Sequence, residues 1–342
     1  MNGAELLAYD RSFLGGGDSL RVVSMPELAA ILPRLIAPAT LENQKQAYVA
    51  YSTGAGTVMP VQSLGQPPAG QMAGGPGCQV CVKSGYLAND DVFVTKVAGG
   101  GAEGYGNTGL VMLSSQRTLR PLCILQDNAI LTEVRTAAAA ALASRYFLPA
   151  EVTRIGIVGG SVQAIWQLRF LTLITSCRDV TVLTRSLASA ELFQKNMKLN
   201  TFDAQWNITI ATSAVDLQAC QLIHTVTTSR SPVVLAEHVR SGDDVHVSAM
   251  GADCPGKREL GDCIYAAASV ISTDSVAQSI ERGEGQYCTE AQRGRLVEIG
   301  ALLTSGSDNI PNRKGLGLTV FDSSGIALQD VCIAKAVWRL LI

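Results

Sequence analysis

The chain has 342 residues, of which 47% are hydrophobic and 16% are charged. This balance excludes intrinsic disorder, and the length is sufficient for about two domains with their own cores. Lys and Arg together number 27 and Asp and Glu 29, so the net charge of −2 provides no basic field to attract a polyanion. We therefore expect neither nucleic acid nor a membrane surface as a partner.

Cysteine content and the first residues indicate the compartment. Nine cysteines is an odd number, and Met1–Arg11 carries acidic residues without the apolar stretch of a secretory leader. No run approaches the ~18 consecutive apolar residues that a membrane-spanning helix needs. These features predict a protein of the reducing cytoplasm.

The first part of the chain predicts an antiparallel sheet. Gly15–Gly17 indicates a loop, Met25–Leu35 has helical spacing, and the Gly-, Pro- and Gln-rich stretch Thr57–Pro76 predicts a long surface loop. The predicted strands that follow, separated by turn residues, are Gln79–Val82, Val92–Val97, Leu110–Leu113 and Leu122–Gln126. Short connections between neighbouring strands favour antiparallel pairing.

Strands and helices alternate in the second part. The alanine-rich segment Ile130–Phe147 predicts a long helix, and further helices are predicted at Val162–Ser176 and Leu187–Leu199. The predicted strands are Arg154–Val158, Val180–Thr184, Asn207–Ile210, Leu222–Val226, Val245–Ala249 and Ser269–Ser272. This alternation implies right-handed crossovers and a parallel sheet. The last segment, Leu318–Ile342, predicts a strand, a turn and an amphipathic helix that packs back on the first part.

A glycine turn at Gly156–Ala164 lies after a predicted strand and opens a predicted helix. A dinucleotide fingerprint requires a glycine for the tight turn, a small residue beside the pyrophosphate and a small residue for helix packing. Gly159, Ser161 and Ala164 take these positions, and the helix start provides N–H groups for an anion. The residues expected to contact the cofactor are Gly159, Gly160, Ser161, Val162 and Gln163. The alternative interpretation is a glycine turn without a ligand.

The end of the second strand indicates the cofactor. An acidic residue there would bind the ribose 2′-hydroxyl and select NAD, but this chain has Thr184, Arg185 and Ser186. An arginine and two hydroxyls suit a 2′-phosphate better. We therefore expect NADP(H) to be preferred over NAD(H). In the alternative interpretation, Arg185 is solvated and both cofactors bind.

Several ordered blocks carry a resemblance that extends over most of the chain. They are Lys83–Tyr86, Val94–Val97, Leu131–Ala138, the glycine turn, Gly251–Leu260 and Thr319–Gly325. In these blocks the chain resembles the ornithine cyclodeaminase/mu-crystallin family, whose members include ornithine and lysine cyclodeaminases, ketimine reductases, and alanine and other amino-acid dehydrogenases.

The resemblance implies an α/β architecture and a homodimer. A Rossmann-type parallel-sheet NAD(P)-binding domain, residues 129–315, would be inserted in an α+β substrate-binding and dimerisation domain formed by residues 1–128 and 316–342. The substrate would be a small amino or imino acid.

The resemblance also implies roles for individual residues. Lys96 and Arg135 would line the substrate pocket, where a carboxylate needs fixed cationic donors. Asp253 would be catalytic together with Lys96, because a carboxylate can move a proton to or from the amine or imine nitrogen while hydride moves at carbon. A helix-capping role is the alternative for Asp253. Further expected cofactor contacts are Thr108, Arg135, Thr227, Met250, Lys257 and Ser323.

The chain departs from the cyclodeaminases at three positions. Gln62 takes the place of an arginine in a Pro-x-Arg block, and Lys83 takes the place of a glutamate thought to orient the attacking water. The acid at the end of the second strand is also missing. We expect Lys83 and Gln62 to contact the substrate, with Lys83 as a replacement carboxylate anchor.

These departures leave three functions open. The first is an NADP(H)-dependent imine reductase or amino-acid dehydrogenase. The second is an ornithine cyclodeaminase, which forms proline and ammonia with a recycled NAD. The third is a non-catalytic NADPH-binding protein. The block Asp253–Lys257 favours the cyclodeaminase, although members that resemble alanine dehydrogenase carry a similar block.

Other motifs do not indicate a site. Cys78 and Cys81 have the spacing of half a zinc site, but no second cysteine pair is near, and the three histidines His224, His238 and His246 lie in the other half of the chain. No metal is therefore expected. The sequence also lacks the Gly-x-Ser-x-Gly motif of serine hydrolases.

Overall fold

The structure is a computed structural model that describes residues 20–64, 79–100, 107–200, 202–240, 242–304 and 315–341. Its strands are β1 (Arg21–Val23), β2 (Gly56–Val58), β3 (Gln62–Leu64), β4 (Gln79–Leu87), β5 (Val92–Gly100), β6 (Thr108–Ser115), β7 (Pro121–Leu125), β8 (Ile155–Val158), β9 (Asp179–Leu183), β10 (Asn207–Ile210), β11 (Leu222–Thr225), β12 (Val245–Ala249), β13 (Val270–Thr273), β14 (Leu296–Glu298) and β15 (Leu318–Asp322). Its α-helices are α1 (Met25–Leu35), α2 (Pro38–Ser52), α3 (Ile130–Tyr146), α4 (Val162–Leu171), α5 (Leu187–Lys198), α6 (Asp262–Ala267), α7 (Val276–Arg282), α8 (Glu290–Arg293), α9 (Ile299–Thr304) and α10 (Ala327–Leu341).

The first sheet has the strand order β1-β7-β6-β5-β4-β2, and β3 also pairs with β4. Strands β4 to β7 pair in antiparallel fashion, so the predicted antiparallel sheet is confirmed. Strand β1 extends the sheet at the β7 edge in parallel orientation. Helix α10, from the end of the chain, packs against β4 and β5 and against α1 and α2.

Two segments of the first part differ from the prediction. The loop predicted over Thr57–Pro76 is wrong for its first residues, because they form β2 and β3; residues 65–76 lie outside the described ranges, as does the predicted Gly15–Gly17 loop. The sequence pattern does not predict helix α2. Its buried face includes Thr40 and Gln44, and these polar residues interrupt the apolar spacing that marks a helix.

The second sheet is parallel throughout, as predicted. Its order is β10-β9-β8-β11-β12-β15-β13-β14. The chain runs outward from β8 through β9 to β10 and then returns to β11 on the other side of β8. The topological switch point therefore lies between β8 and β11, where open α/β sheets bind ligands. Predicted and observed bounds agree closely, except that α4 ends at Leu171 instead of Ser176.

Strand β15 corrects the predicted domain boundary. A division at residue 316 assigns this strand to the first domain, but β15 pairs in parallel with β12 and with β13. Val320 and Phe321 have no solvent exposure, which is typical of a central parallel strand covered on both faces. The chain therefore returns to the first domain between Asp322 and Ala327, after β15, and α10 packs on the first sheet as predicted.

Helix α3 lies between the two domains and is buried on nearly every side. It contacts α2 and α10 of the first domain and α4 and β12 of the second. All residues of Ala137–Ala143 are without solvent exposure. Alanine suits this position because it combines high helix propensity with a side chain small enough for close approach from all directions.

Close packing around α3 leads to a stability prediction. Ala140→Leu inserts three carbon atoms where Ala140 is fully buried, so we expect a loss of about 1–3 kcal/mol in the free energy of unfolding. Thermal denaturation measures it, with the exposed Ala188→Leu of α5 as the matched control. An equal melting temperature for both variants would contradict the tight packing.

Candidate functional site

The loop after β8 forms a tight glycine turn at the carboxyl edge of the second sheet. Gly159 has a φ of +120°, and a Cβ atom there would lie 2.9 Å from the carbonyl oxygen of Val226. Only glycine fits this conformation and this space. Ser161 is exposed and begins α4 in an extended conformation. The turn therefore has the geometry in which a helix start binds a phosphate.

The other cofactor residues predicted in the second domain lie at the same edge. Each follows the carboxyl end of a parallel strand: Thr184, Arg185 and Ser186 follow β9, Thr227 follows β11, Met250 follows β12 and Ser323 follows β15. Thr108 belongs to the first sheet, at the start of β6. The next residue, Gly109, accepts a hydrogen bond from the backbone N–H of Asn128 at 3.2 Å, just before α3 begins.

The loop after β9 leaves one cation exposed. The Thr184 hydroxyl donates to the Ser186 carbonyl oxygen at 2.8 Å, and the Ser186 side chain accepts from the Ser189 N–H at 3.3 Å and caps α5. Arg185 is exposed and has no hydrogen bond or ion pair with any residue that the structure describes. Its guanidinium is therefore available to a ligand.

Three buried cations meet at the domain boundary, and we call Lys83, Lys96 and Arg135 the cation cluster. Lys83 of β4 lies directly opposite Lys96 of β5, so both side chains leave the same face of the first sheet. Arg135 reaches the same place from α3. Each of the three residues is at most 6% exposed, and cations are rarely so buried unless they are paired.

Asp330 of α10 holds two members of the cation cluster. Its Oδ1 accepts from Lys96 Nζ at 2.8 Å and lies 3.5 Å from Arg135 Nε. Lys96 also donates to the Thr132 hydroxyl at 3.3 Å. Burial alone would raise the pKa of Asp330, but the two cations outweigh burial and lower it. Asp330 is therefore an ionised carboxylate that fixes Lys96 and Arg135.

Lys83 bridges the first sheet to the end of β15. Its ammonium donates to the carbonyl oxygens of Gly325 at 2.6 Å and Ser324 at 3.1 Å. Burial, together with the nearby charges of Lys96 and Arg135, lowers the pKa of Lys83 to about 8. The cation cluster thus lies against the residues that directly follow the cofactor edge of the second sheet.

Gly325 fixes the position of the Arg135 guanidinium. The residue has a φ of +82°, and a Cβ atom there would lie 2.6 Å from Arg135 Nη1 and 2.7 Å from Nη2. Arg135 Nη1 also lies 3.5 Å from the Gln329 side-chain oxygen, to which it donates. The absent side chain at position 325 is the space that the guanidinium fills.

Asp253 lies four residues beyond β12, in the loop at the cofactor edge, and its side chain is 53% exposed. Lys257 Nζ donates to Asp253 Oδ1 at 2.6 Å. Desolvation by the surrounding protein would raise the pKa of Asp253, but the Lys257 ammonium outweighs this effect and lowers the pKa below its ordinary value. The next α-helix begins at Asp262, so Asp253 does not cap an α-helix.

A buried carboxylate ties this loop to its neighbour. Glu259 accepts from the N–H groups of Thr227 at 2.6 Å and Gly251 at 2.7 Å, and from the Thr225 hydroxyl at 2.7 Å. The residue has no solvent exposure. Glu259 therefore fixes the loops that carry Thr227 and Asp253 relative to each other.

The structure does not bring Gln62 to the cation cluster. Gln62 pairs with Val82, whereas Lys83 and Lys96 pair with each other one residue further along β4. Successive side chains of a strand point to opposite faces, so Gln62 lies on the face away from the cluster. The expectation that Gln62 contacts the substrate is therefore wrong in this register.

Two residues of the site are missing from the sequence prediction. Asp330 lies five residues beyond the last recognised block, on a helix interpreted only as a packing element. Glu133 lies inside the block Leu131–Ala138, two residues before Arg135, and was available as a signal. Each is the single acidic residue of its helix, and a lone acid among apolar neighbours is the pattern that indicates a buried charge partner.

Two further sequence expectations concern absences. Within the described ranges, no group of three or more His, Cys, Asp or Glu side chains is placed to hold a metal ion, and Cys78 lies outside those ranges. None of the helices in the described part of the chain has both the length and the hydropathy needed to cross a bilayer.

Comparison with known proteins places the chain among relatives. A model of the ornithine cyclodeaminase/mu-crystallin family matches residues 93–340. An uncharacterized cyclodeaminase of Sinorhizobium fredii is 31% identical over 76% of this chain and 80% of its own. The alanine dehydrogenase of Archaeoglobus fulgidus is 30% identical over 67% of this chain and 69% of its own.

The fold is shared with a solved structure. The iminosuccinate reductase of Paracoccus denitrificans, in complex with NAD+, superposes with a TM-score of 0.77 at 24% identity, over 94% of this chain and 96% of that chain. At this identity the likeness establishes the architecture, a parallel sheet joined to a second sheet.

Proposed function

Because this chain belongs to the ornithine cyclodeaminase/mu-crystallin family, we propose that it is an NAD(P)H-dependent oxidoreductase acting on a small imino or amino acid. In the reducing direction it converts an imino or ketimino acid, and in the other it acts as an amino-acid dehydrogenase. The cation cluster carries this proposal, because three buried cations lie against the residues that follow β15, beside the edge that suits a dinucleotide.

The cation cluster fits the α-carboxylate of such a substrate. Arg135 presents a planar fork of donors, and Lys83 retains one N–H after its two bonds to backbone carbonyls. Lys96, held by Asp330, adds a fixed positive charge. Charge-assisted bonds to one carboxylate orient the α-carbon toward the cofactor edge.

The glycine turn and the exposed start of α4 fit the pyrophosphate of a nicotinamide dinucleotide, which supplies or removes the hydride at the α-carbon. Asp253, in the loop that follows β12 at the same edge of the sheet, is an ionised carboxylate. It stabilises the positive charge of the substrate iminium.

One assay separates the candidate functions. NAD(P)H absorbance is followed with pyrroline-2-carboxylate or piperideine-2-carboxylate, and proline and ammonia are measured in parallel with ornithine as substrate. We expect stoichiometric cofactor oxidation with a cyclic imino acid. Formation of proline and ammonia without net cofactor oxidation would establish the cyclodeaminase instead. No activity in either assay would favour a non-catalytic NADPH-binding protein.

The cyclodeaminase remains the second candidate for one specific reason. The block Asp253–Lys257 is typical of that activity, and the Sinorhizobium relative carries the name cyclodeaminase. Lys83 argues against it, because a buried ammonium with a pKa of about 8 is mostly protonated at neutral pH and does not orient an attacking water as a carboxylate would.

For the cofactor, we propose that NADP(H) is preferred and NAD(H) is accepted. The exposed Arg185 guanidinium, without a partner among the described residues, supports a contact with the 2′-phosphate.

The Arg185→Ala variant is expected to lose about 10- to 100-fold in kcat/KM with NADPH and to change little with NADH. Steady-state kinetics with both cofactors measures this change, and Lys195→Ala, which removes an exposed cation of α5, is the control. Equal losses with both cofactors would contradict the preference.

We further propose a cytoplasmic homodimer that binds neither nucleic acid nor membranes. Apolar side chains on the outer face of the first sheet, opposite the cation cluster, support the dimer: Phe93, Val97, Leu110, Met112 and Ile124 are all partly exposed there. Such a face is suited to burial against a second copy. Light scattering coupled to size-exclusion chromatography tests it, and a monomeric mass at micromolar concentration would contradict it.

A further inference from the structure

Reduction of an imine consumes a proton as well as a hydride, and Asp253 is poorly suited to supply it. The carboxylate is held in an ion pair with Lys257 at 2.6 Å, and its pKa is lowered. At neutral pH an acid of this kind is almost entirely ionised. The site therefore needs a second group that carries a proton under the same conditions.

Glu133 lies where the two domains and the cofactor edge meet. Its Oε1 accepts from Asn107 Nδ2 at 3.3 Å, next to Thr108 at the start of β6. Its backbone carbonyl oxygen accepts from the Gln163 side chain at 3.4 Å, which ties this turn of α3 to the glycine turn. Arg135 of the cation cluster is two residues further along the same helix.

The second oxygen of Glu133 is shielded from solvent and makes no hydrogen bond with any described residue. A buried carboxyl oxygen without a partner is costly, and it is the kind of group that a bound substrate atom satisfies. The first carboxyl oxygen has Asn107 as its hydrogen-bond donor, and Arg135 acts on the carboxyl through its charge. Asp253 is also close enough to act on the Glu133 carboxyl through its charge.

The charges around the two carboxyls push their pKa values apart. Burial and, to a smaller degree, the Asp253 charge raise the pKa of Glu133 to about 7, although Arg135 opposes the shift. The Lys257 ammonium has the opposite effect on Asp253. Two neighbouring acids with separated pKa values are the usual arrangement of a general acid and a permanently charged partner.

We propose that Glu133 is a further catalytic residue: its carboxyl gives the proton to the imine nitrogen, while Asp253 stays ionised and stabilises the iminium charge. This inference rests on the proposed reductase function. The N–H bond forms as the Glu133 O–H bond breaks, the cofactor hydride reduces the α-carbon, and the resulting Glu133 carboxylate regains its proton from water. In the dehydrogenase direction Glu133 takes that proton back.

The test is the pH dependence of kcat for imine reduction at saturating substrate and NADPH. The wild-type rate is expected to fall above about pH 7, as Glu133 loses its proton. Glu133→Gln keeps the shape and the acceptor for Asn107 but does not titrate, so kcat is expected to fall at least tenfold with no such limb in the profile. Glu133→Asp retains a titrating carboxyl and is expected to keep the limb at a reduced rate. Glu151→Gln, an exposed glutamate, is the matched control.

Cofactor binding and folding are measured separately, by the fluorescence of bound NADPH and by thermal denaturation. A Glu133→Gln variant that folds and binds NADPH but still shows the alkaline limb would overturn the role of Glu133. A Glu133→Gln variant in which only KM changes, with kcat intact, would also overturn it. A wild-type protein that oxidises no NAD(P)H with any imino acid would instead overturn the proposed function, and the two failures are therefore distinguishable.

Discussion

Asp253→Asn is expected to lower kcat by roughly 10²- to 10⁴-fold while leaving cofactor affinity nearly unchanged. Asparagine has the shape of aspartate but carries no charge, so it does not stabilise the positive charge of the substrate iminium. The effect on stability is expected to be small. Asp253 is 53% exposed, and a solvent-exposed ion pair such as that with Lys257 contributes only about 0–1 kcal/mol.

Asp262→Asn is the matched control for this variant. Asp262 pairs with Arg258 across the same four-residue spacing that separates Asp253 from Lys257, but it is 76% exposed and begins α6. We expect normal kcat for this variant. Near-normal turnover of Asp253→Asn, measured at saturating substrate, would remove Asp253 from the mechanism.

Arg135→Met is expected to lower kcat/KM for the amino or imino acid by about 10²- to 10⁴-fold. Each charge-assisted bond to the substrate carboxylate is worth about 1.5–3 kcal/mol, and the guanidinium fork makes two. Arg135→Lys keeps the charge but loses the fork, so we expect an intermediate loss. Steady-state kinetics with varied substrate at saturating cofactor gives kcat/KM for both variants.

Folding must be checked for these variants, because Arg135 is buried against Gly325 and Asp330. Removing one partner of a buried ion pair is destabilising, although Lys96 still holds Asp330 at 2.8 Å. Arg145→Lys, in the last turn of the same helix and 39% exposed, is the control. A folded Arg135→Met variant with unchanged kcat/KM would exclude Arg135 from substrate binding.

The nucleotide-binding half was predictable because its signals are local. The turn at Gly159 is set by a backbone conformation that only glycine adopts easily, and the alternation of strands and helices allows few topologies. The blocks containing Lys83, Lys96 and Arg135 also identified residues that the structure brings together. Strand β15 was the exception, because nothing local in Leu318–Asp322 indicates that it pairs between β12 and β13.

The sequence by itself thus determined the fold class, the family and the residues of the cation cluster, since residue type, spacing and turn chemistry encode them. Only the tertiary structure decided which side chains share the site. The strand register turned Gln62 away, the packing of α10 brought Asp330 to Lys96 across 234 residues, and burial between two domains shifted the pKa of Glu133. Register, long-range packing and desolvation depend on the whole chain, so no local pattern contains them.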